Sequence, residues 1–187
     1  MWRERVELIR SSLVVADSHS ASMRIYRGVQ KGTLLRLLAG IYIPRSQLEG
    51  RSPVDCREIT FIARVCALSL RYPNYVISGT VAAYILDLPC ENRIEQLTLY
   101  APSRQCPNLV HFPEIVIDDN IRIPSAHIRT CRPSRPVSSI EYLGFRIATP
   151  ARVLVDCSRL LSDKRGFPIA CAGLARACHF DRFRQEE

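Results

Sequence analysis

Hydrophobic spacing along the chain predicts helices interspersed with short strands. The clearest helix is expected over residues 54–71, where apolar residues recur every three or four positions, Pro53 fits the first turn and Pro73 ends the helix. A less regular apolar stripe predicts a helix over residues 2–16, and a last helix is expected from Ile169 to Phe180.

The segment between residues 20 and 45 predicts a short helix followed by a β-hairpin. Ser20 or Ser22 is expected to cap a helix that ends near Gly32. The run TLLRLLAGIYIPR then predicts two strands that meet at Ala39-Gly40, with Gly40 supplying a positive φ. A basic helix followed by a hairpin is the layout of a winged helix-turn-helix. An ordinary helix and hairpin with a solvated basic face remains the alternative.

After residue 73 extended and helical patterns alternate. A helix that ends at Pro89 is expected to be capped by Ser78 or Thr80. A second helix is expected to have Thr149 as its N-cap and Pro150 as its first residue, and to run to about Leu161. Extended segments are predicted at 74–78, 94–100, 108–117 (broken by Pro113), 120–123, 127–129 and directly before Thr149.

These elements predict an α+β fold. We expect a shortened winged helix-turn-helix module for DNA binding at residues 1–50, followed by a small mixed α/β domain at residues 51–187.

Charge is unevenly distributed along the chain. The net charge is +8, and 24 of the 26 basic residues are arginines, the residue type that best matches phosphates and guanine edges. No acidic residue lies between Asp17 and Glu49 or from Asn120 to Ile140. The second acid-free stretch carries Arg122, Arg129, Arg132 and Arg135. Such zones favour an anionic partner, although GC-rich coding bias explains a high arginine content equally well.

The basic residues of the helix and hairpin are the candidate DNA contacts. Arg24, Arg27 and Lys31 are spaced at i, i+3 and i+7, which places them on one helical face for the groove and its phosphates. Arg36 and Arg45 are expected to contact the DNA backbone from the hairpin.

The sequence offers little support for catalysis. It lacks a glycine-rich phosphate loop, a nucleophile elbow and a His-Glu-x-x-His motif, and its histidines share no spacing. Asp118-Asp119 is interpreted as a turn rather than a metal pair. The eight cysteines lack zinc-site spacing, so most are expected to be small buried thiols. We therefore expect no enzyme activity, no metal and no cofactor.

No apolar run is long enough for a membrane span, and the charged start MWRERVELIR does not fit a secretory signal. The sequence thus predicts a cytoplasmic protein without a membrane partner.

Three ordered segments resemble the AbiEi-type antitoxin family of type IV toxin–antitoxin systems. The first is the hairpin that contains Gly40-Ile41-Tyr42, and the second runs from Ser78 to Leu88-Pro89, with Asp87 where the family usually has Gly. The third resembles Thr-Ser-Pro-Ala-Arg-Thr-x-x-Asp and supplies Thr149, Pro150, Ala151, Arg152 and Asp156. The resemblance covers about residues 24–162.

The resemblance implies a DNA-binding transcriptional autoregulator that acts as an antitoxin. It would bind double-stranded DNA at an operator with inverted repeats, and its functional partner would be a nucleotidyltransferase-like toxin with which it forms no stable complex. The alternative is a protein-interaction module without DNA binding, or a truncated remnant, that restrains a partner toxin.

The family-motif residues have two interpretations. Arg152, Asp156 and Arg159 lie on one helical face, where Asp156 can pair with either arginine. We favour a structural ion network for these three residues, with a partner surface as the alternative. The family-motif residues Ser78, Thr149, Arg152 and Asp156 are expected either to be structural or to form a partner surface.

Overall fold

The computed structural model describes residues 6–11, 19–88, 97–102, 109–118, 120–160, 168–173 and 175, and it confirms an α+β fold. The helices are α1 (His19–Gln30), α2 (Pro53–Arg71), α3 (Gly79–Ile85) and α4 (Pro150–Leu160). A 3-10 turn spans Arg45–Gln47, and residues 168–173 and 175 are also helical. Within the described part of the chain, no helix has the length and apolar character needed to cross a membrane.

The strands are short. They are β1 (Ile9–Arg10), β2 (Leu34–Leu38), β3 (Ile41–Pro44), β4 (Val76–Ser78), β5 (Leu97–Tyr100), β6 (Leu109–Phe112), β7 (Ile115–Val116), β8 (Arg122–Ile123), β9 (Ala126–Cys131), β10 (Ser139–Tyr142) and β11 (Phe145–Ala148).

The chain divides into two compact units. The first contains Met1–Pro73 and Val110–His127, and the second contains Asn74–Leu109 and Ile128–Glu187. The boundary predicted near residue 50 falls inside the first unit, because α2 packs against strand β2 of the hairpin.

The first unit is built around the predicted hairpin. Strands β2 and β3 pair antiparallel across a turn at Ala39-Gly40, and Gly40 has φ +74°, as predicted. Strand β1 pairs with β3 on its other side, which gives the order β1-β3-β2. Leu37 and Ile43 are fully buried, so one face of this sheet contributes to the core.

The helix predicted over residues 2–16 is wrong at its centre. Ile9 and Arg10 form a strand whose partners are Tyr42 and Ile41. The edge of β3 offers unpaired backbone groups, and pairing there satisfies more of them than an isolated, irregularly amphipathic helix would. Residues 1–5 and 12–18 lie outside the described part.

Helix α1 begins earlier than predicted. Ser20 and Ser22 lie inside the helix rather than at its N-cap. The helix ends at Gln30, close to the predicted end at Gly32. Gly32 itself has φ +70°. Packing explains why a glycine occupies position 28 inside the helix, since a Cβ at Gly28 would lie 2.8 Å from the Leu34 side chain. The glycine therefore lets the helix approach strand β2 closely, at the cost of some helix propensity.

Helix α2 confirms the strongest prediction from the periodicity. Pro53 is its first residue, and the Ser52 side chain accepts a hydrogen bond from the Asp55 backbone N–H at 3.2 Å. Its middle, residues 60–68, is buried, which explains its limited amphipathicity.

The second unit has a mixed sheet with helices packed against it. Strands lie side by side in the order β10-β11-β4-β5-β9, with parallel pairing of β11 to β4 and of β5 to β9. Helices α3 and α4 pack against each other. Helix α4 starts at Pro150 after Thr149 as predicted, whereas α3 ends at Ile85 rather than Pro89 because Asp87 adopts φ +58°.

Candidate nucleic-acid interface

The candidate DNA-contacting residues of α1 are exposed to solvent. Arg24, Arg27 and Lys31 all lie on the surface, whereas Ile25 on the same helix is buried. The first two belong to the helix, and Lys31 follows its last residue with its backbone N–H bonded to the Arg27 carbonyl. The helical turn therefore continues through Lys31 and keeps the three side chains on one face. We call this set the basic face.

The side chains of the basic face have no ion pair or hydrogen bond with any described residue. Within the described part of the chain, no residue engages their guanidinium and ammonium N–H donors, which are thus available to an external anion. The absence of acidic residues between Asp17 and Glu49 explains why no carboxylate of this segment competes for them.

Arg36 adds an exposed cation on the hairpin. It lies in β2 directly opposite Tyr42 of β3, between the half-buried Leu35 and the buried Leu37. A register shift between Arg36 and Leu38 marks an irregularity that bends the strand locally.

The Arg45 side chain binds backbone carbonyls of its own chain. Its guanidinium donates to the backbone carbonyls of Gly32 and Ile117, and its Nη2 lies 3.3 Å from the carbonyl oxygen of Val116. It therefore connects the start of the hairpin to strand β7 within the first unit. This arrangement leaves few donors for the DNA contact that the sequence suggested.

The second acid-free stretch is divided between the two units. Arg122 belongs to the first, and Arg132 and Arg135 belong to the second; all three are exposed. The side chain of Arg129 lies outside the described part of the structure.

Three of the four family-motif residues, Ser78, Arg152 and Asp156, meet in the second unit, where the Asp156 carboxylate is buried. Asp156 is 4 % exposed and accepts hydrogen bonds from Ser78 Oγ at 2.6 Å and from the Tyr100 hydroxyl at 2.9 Å. Its Oδ1 lies 3.0 Å from Arg152 Nε, an ion pair whose N–H is not aligned as a hydrogen bond. We call Ser78, Tyr100, Arg152 and Asp156 the Asp156 cluster.

Tyr100 is the member of this cluster that sequence reasoning missed. Its hydroxyl accepts a hydrogen bond from Arg152 Nη2 at 2.7 Å, and the Arg152 guanidinium carbon lies 5.1 Å from the centroid of its ring. Burial is the main cause that raises the pKa of Tyr100. The hydrogen bond to Tyr100 is in turn the main cause that raises the pKa of Arg152.

The geometry of the Asp156 cluster favours the structural interpretation. Ser78 joins it from the end of β4 and Tyr100 from the end of β5, while Arg152 and Asp156 come from α4. Ser78 occupies the N-cap position of α3, but its hydroxyl makes no capping hydrogen bond. The hydroxyl instead donates to the Asp156 carboxylate. Thr149 precedes α4, and Arg159 is exposed at the end of that helix.

His111 and His127 lie close together although the histidines share no spacing in the sequence. The rings of His111 and His127 lie 4.5 Å apart between centroids, on neighbouring strands, a contact that their sequence separation hides. Asp118 accepts hydrogen bonds from the backbone N–H groups of Asn120 and Ile121, which confirms the predicted turn. Among the described residues, no group of three or more His, Cys, Asp or Glu side chains is arranged to hold a metal.

The described cysteines form no disulfide bond with one another. Cys56, Cys66 and Cys157 are buried as predicted, whereas Cys131 and Cys171 are exposed. Burial raises the pKa of the Cys56 thiol, and the neighbouring Asp55 and Asp118 carboxylates add to the shift.

Comparison of the chain with family models, with curated proteins and with solved structures found no match.

Proposed function

We propose that this protein is a DNA-binding regulator whose first unit contacts the duplex through α1 and the β2–β3 hairpin. The observation that carries the proposal is the basic face: Arg24, Arg27 and Lys31 are exposed, share one side of the chain and have no partner among the described residues. Unpaired cations held close together repel one another, and a polyanion relieves that repulsion.

The shape of this region fits a duplex. A helix of 12 residues such as α1 has the width that the major groove admits. The hairpin follows it directly and carries the exposed Arg36, so a winged-helix mode of docking is available, with α1 at the groove and the hairpin against the backbone. Arg45 is expected to contribute little to this contact, since its Nε, Nη1 and Nη2 atoms each donate to a backbone carbonyl.

The test is a gel-shift titration with the DNA upstream of the protein's own gene. We expect Arg27→Ala with Lys31→Ala to weaken binding about 30-fold, because each phosphate contact through a charged donor contributes roughly 1 kcal/mol. Arg57→Ala with Arg71→Ala is the matched control, since it removes the same charge from exposed positions on α2. Equal affinities for the two variants would contradict the proposal.

We propose further that the protein acts as an AbiEi-type antitoxin that represses its own promoter at inverted repeats, in the cytoplasm, beside a nucleotidyltransferase-like toxin. Two features support this assignment. The second and third segments of the resemblance meet through Ser78, Arg152 and Asp156. Asp87, which stands where the family usually has Gly, has φ +58°, a conformation that favours glycine and that aspartate tolerates better than most residues.

A direct test of the regulatory role is a reporter fused to the protein's own promoter. Co-expression of the wild-type chain is expected to lower reporter output, and the Arg27→Ala, Lys31→Ala variant is expected to restore it. Reporter output that the wild-type chain leaves unchanged would contradict autoregulation, and equal repression by both proteins would contradict repression through the basic face.

The alternative function, a module that restrains a toxin by direct contact, is favoured by the apolar side of α1. Tyr26 is 59 % exposed, and Met23 and Val29 are also exposed. Large exposed apolar residues on one helix are common at protein interfaces. Co-purification of a tight complex with the product of the neighbouring gene, together with unchanged DNA affinity in the basic-face variant, would favour this function over the first.

A further inference from the structure

The second unit contains a cavity of about 510 Å³ that the DNA-binding proposal does not use. It is lined by residues of β4, β5 and β11 and by the segment between β9 and β10. Its volume lies in the range of about 300–1,000 Å³ that is typical of small-molecule sites.

The charge of the lining is entirely positive. Arg132, Arg135 and Arg146 line the cavity, and its described lining includes no aspartate or glutamate. Arg146 Nε donates to Ser139 Oγ at 3.0 Å, which holds this guanidinium in place. Glu141 on β10 is the register partner of Arg146 on β11. Arg132 and Arg135 lie on neither of these strands and have no such carboxylate as a register partner.

Much of the remaining lining is apolar, although Asn74 and Ser134 also belong to it. Pro133, Pro136 and Val137 contribute apolar surface from the segment between β9 and β10, and Val76 contributes it from β4. Proline restricts the backbone of the segment between β9 and β10 before any ligand arrives, which lowers the entropy lost on binding. Tyr100 also lines the cavity, and its hydroxyl is fixed by Arg152 and Asp156.

We propose that this cavity binds a small phosphorylated molecule that also carries a flat or apolar group, of about the size of a mononucleotide. Arginine side chains bind phosphate oxygens through paired N–H donors. The proline and valine side chains and the Tyr100 ring supply contacts for a base or a similar group. A fully inorganic anion would leave those apolar surfaces unused.

The test is isothermal titration calorimetry of the full chain with the four nucleoside monophosphates, and with adenosine and inorganic phosphate as partial ligands. We expect at least one monophosphate to bind, and both partial ligands to bind about tenfold or more weakly, because each provides only part of the contacts. Absence of binding by all four monophosphates at millimolar concentration would overturn the proposal, as would equal affinity for inorganic phosphate.

Variants locate the site. Arg132→Gln with Arg135→Gln is expected to weaken the monophosphate about tenfold or more, since two charged donors are lost. Arg122→Gln with Arg159→Gln is the matched control, because these exposed arginines do not line the cavity, and it is expected to change the affinity less than twofold. Equal losses in both variants would overturn the proposal.

The same experiment separates this site from DNA binding. The Arg27→Ala, Lys31→Ala variant is expected to bind the monophosphate with unchanged affinity, so failure of the DNA-binding proposal leaves this one standing. If the cavity variant instead loses affinity for duplex DNA while the wild type binds no monophosphate, the arginines serve the duplex and the small-molecule proposal is wrong.

Discussion

The basic face and the Asp156 cluster place the same residue type in opposite surroundings. In the first unit, Arg24 and Arg27 are exposed and have no side-chain partner among the described residues. In the second unit, Arg152 is held by a buried carboxylate and a tyrosine hydroxyl. An arginine that is enclosed by acceptors of its own chain contributes to stability, and one without acceptors remains available to an external anion. Total charge therefore overstates the surface that this protein can offer to DNA.

The largest expected effect on stability is the loss of the carboxylate at the centre of the Asp156 cluster. Asp156→Ala removes the acceptor of Ser78 and Tyr100 and leaves Arg152 without its ion pair. We expect the free energy of unfolding to fall by about 3 kcal/mol, because one partner of a buried network is removed. Urea denaturation measures this change.

A conservative variant and a control variant test whether the loss arises from the Asp156 carboxylate itself. Asp156→Asn keeps the shape and one acceptor oxygen and is expected to lose less than Asp156→Ala. Arg159→Ala, at an exposed position of the same helix, is expected to change the free energy of unfolding by less than about 0.5 kcal/mol. A similar loss in Asp156→Ala and Arg159→Ala would mean that the cluster does not stabilise the second unit.

Arg45 and Arg36 provide a contrast within the first unit. Arg45→Ala removes donors from the carbonyls of Gly32, Val116 and Ile117, and we expect it to lower the free energy of unfolding by about 1–2 kcal/mol. Arg36→Ala removes an exposed side chain without a described partner and is expected to leave stability unchanged while weakening DNA binding. Denaturation and gel-shift titrations of both variants check this contrast, and the reverse pattern would contradict it.

A smaller effect is expected from the titration of Tyr100. Burial raises its pKa above the ordinary value of 10.0, so the folded state favours the neutral phenol. The resulting stabilisation is fully present below about pH 10 and is lost as the pH rises through the pKa of the folded state. The difference in phenolate absorbance between the wild type and Tyr100→Phe measures this pKa, and a value below 10 would contradict the burial of the hydroxyl.

The smallest effect on stability is expected at the basic face itself. Replacing Arg24, Arg27 and Lys31 with alanine removes exposed cations that repel one another and favours the helical backbone. We expect the thermal unfolding midpoint to stay the same or to rise slightly. A clear decrease would show that these side chains have an internal partner and would weaken the DNA-binding proposal.

Local sequence signals predicted much of the fold. The hairpin turn at Gly40 and the ends of α2 followed from glycine, proline and apolar spacing, because those features depend on neighbouring residues. Strand β1 did not follow, since its partner Ile41 lies about thirty positions away along the chain. Its pairing depends on an edge that only the folded sheet provides.

The part of the candidate site that lies on a single helix could be predicted from the spacing of its residues. Arg24, Arg27 and Lys31 were found from their intervals of three and four, and they are exposed as that pattern requires. The engagement of Arg45 by Ile117 spans 72 positions, and that of Tyr100 by Asp156 spans 56. Contacts between residues so far apart along the chain depend on how strands and helices pack. A local sequence pattern therefore cannot predict them.

The most direct test of the DNA-binding proposal is the salt dependence of binding to the upstream duplex. The logarithm of the association constant falls linearly with the logarithm of salt concentration, by about 0.9 for each phosphate neutralised. We expect Arg27→Ala with Lys31→Ala to lower this slope by about two units, and Arg57→Ala with Arg71→Ala to leave it unchanged. A slope that is the same in the wild type and in the basic-face variant would contradict DNA binding through the basic face.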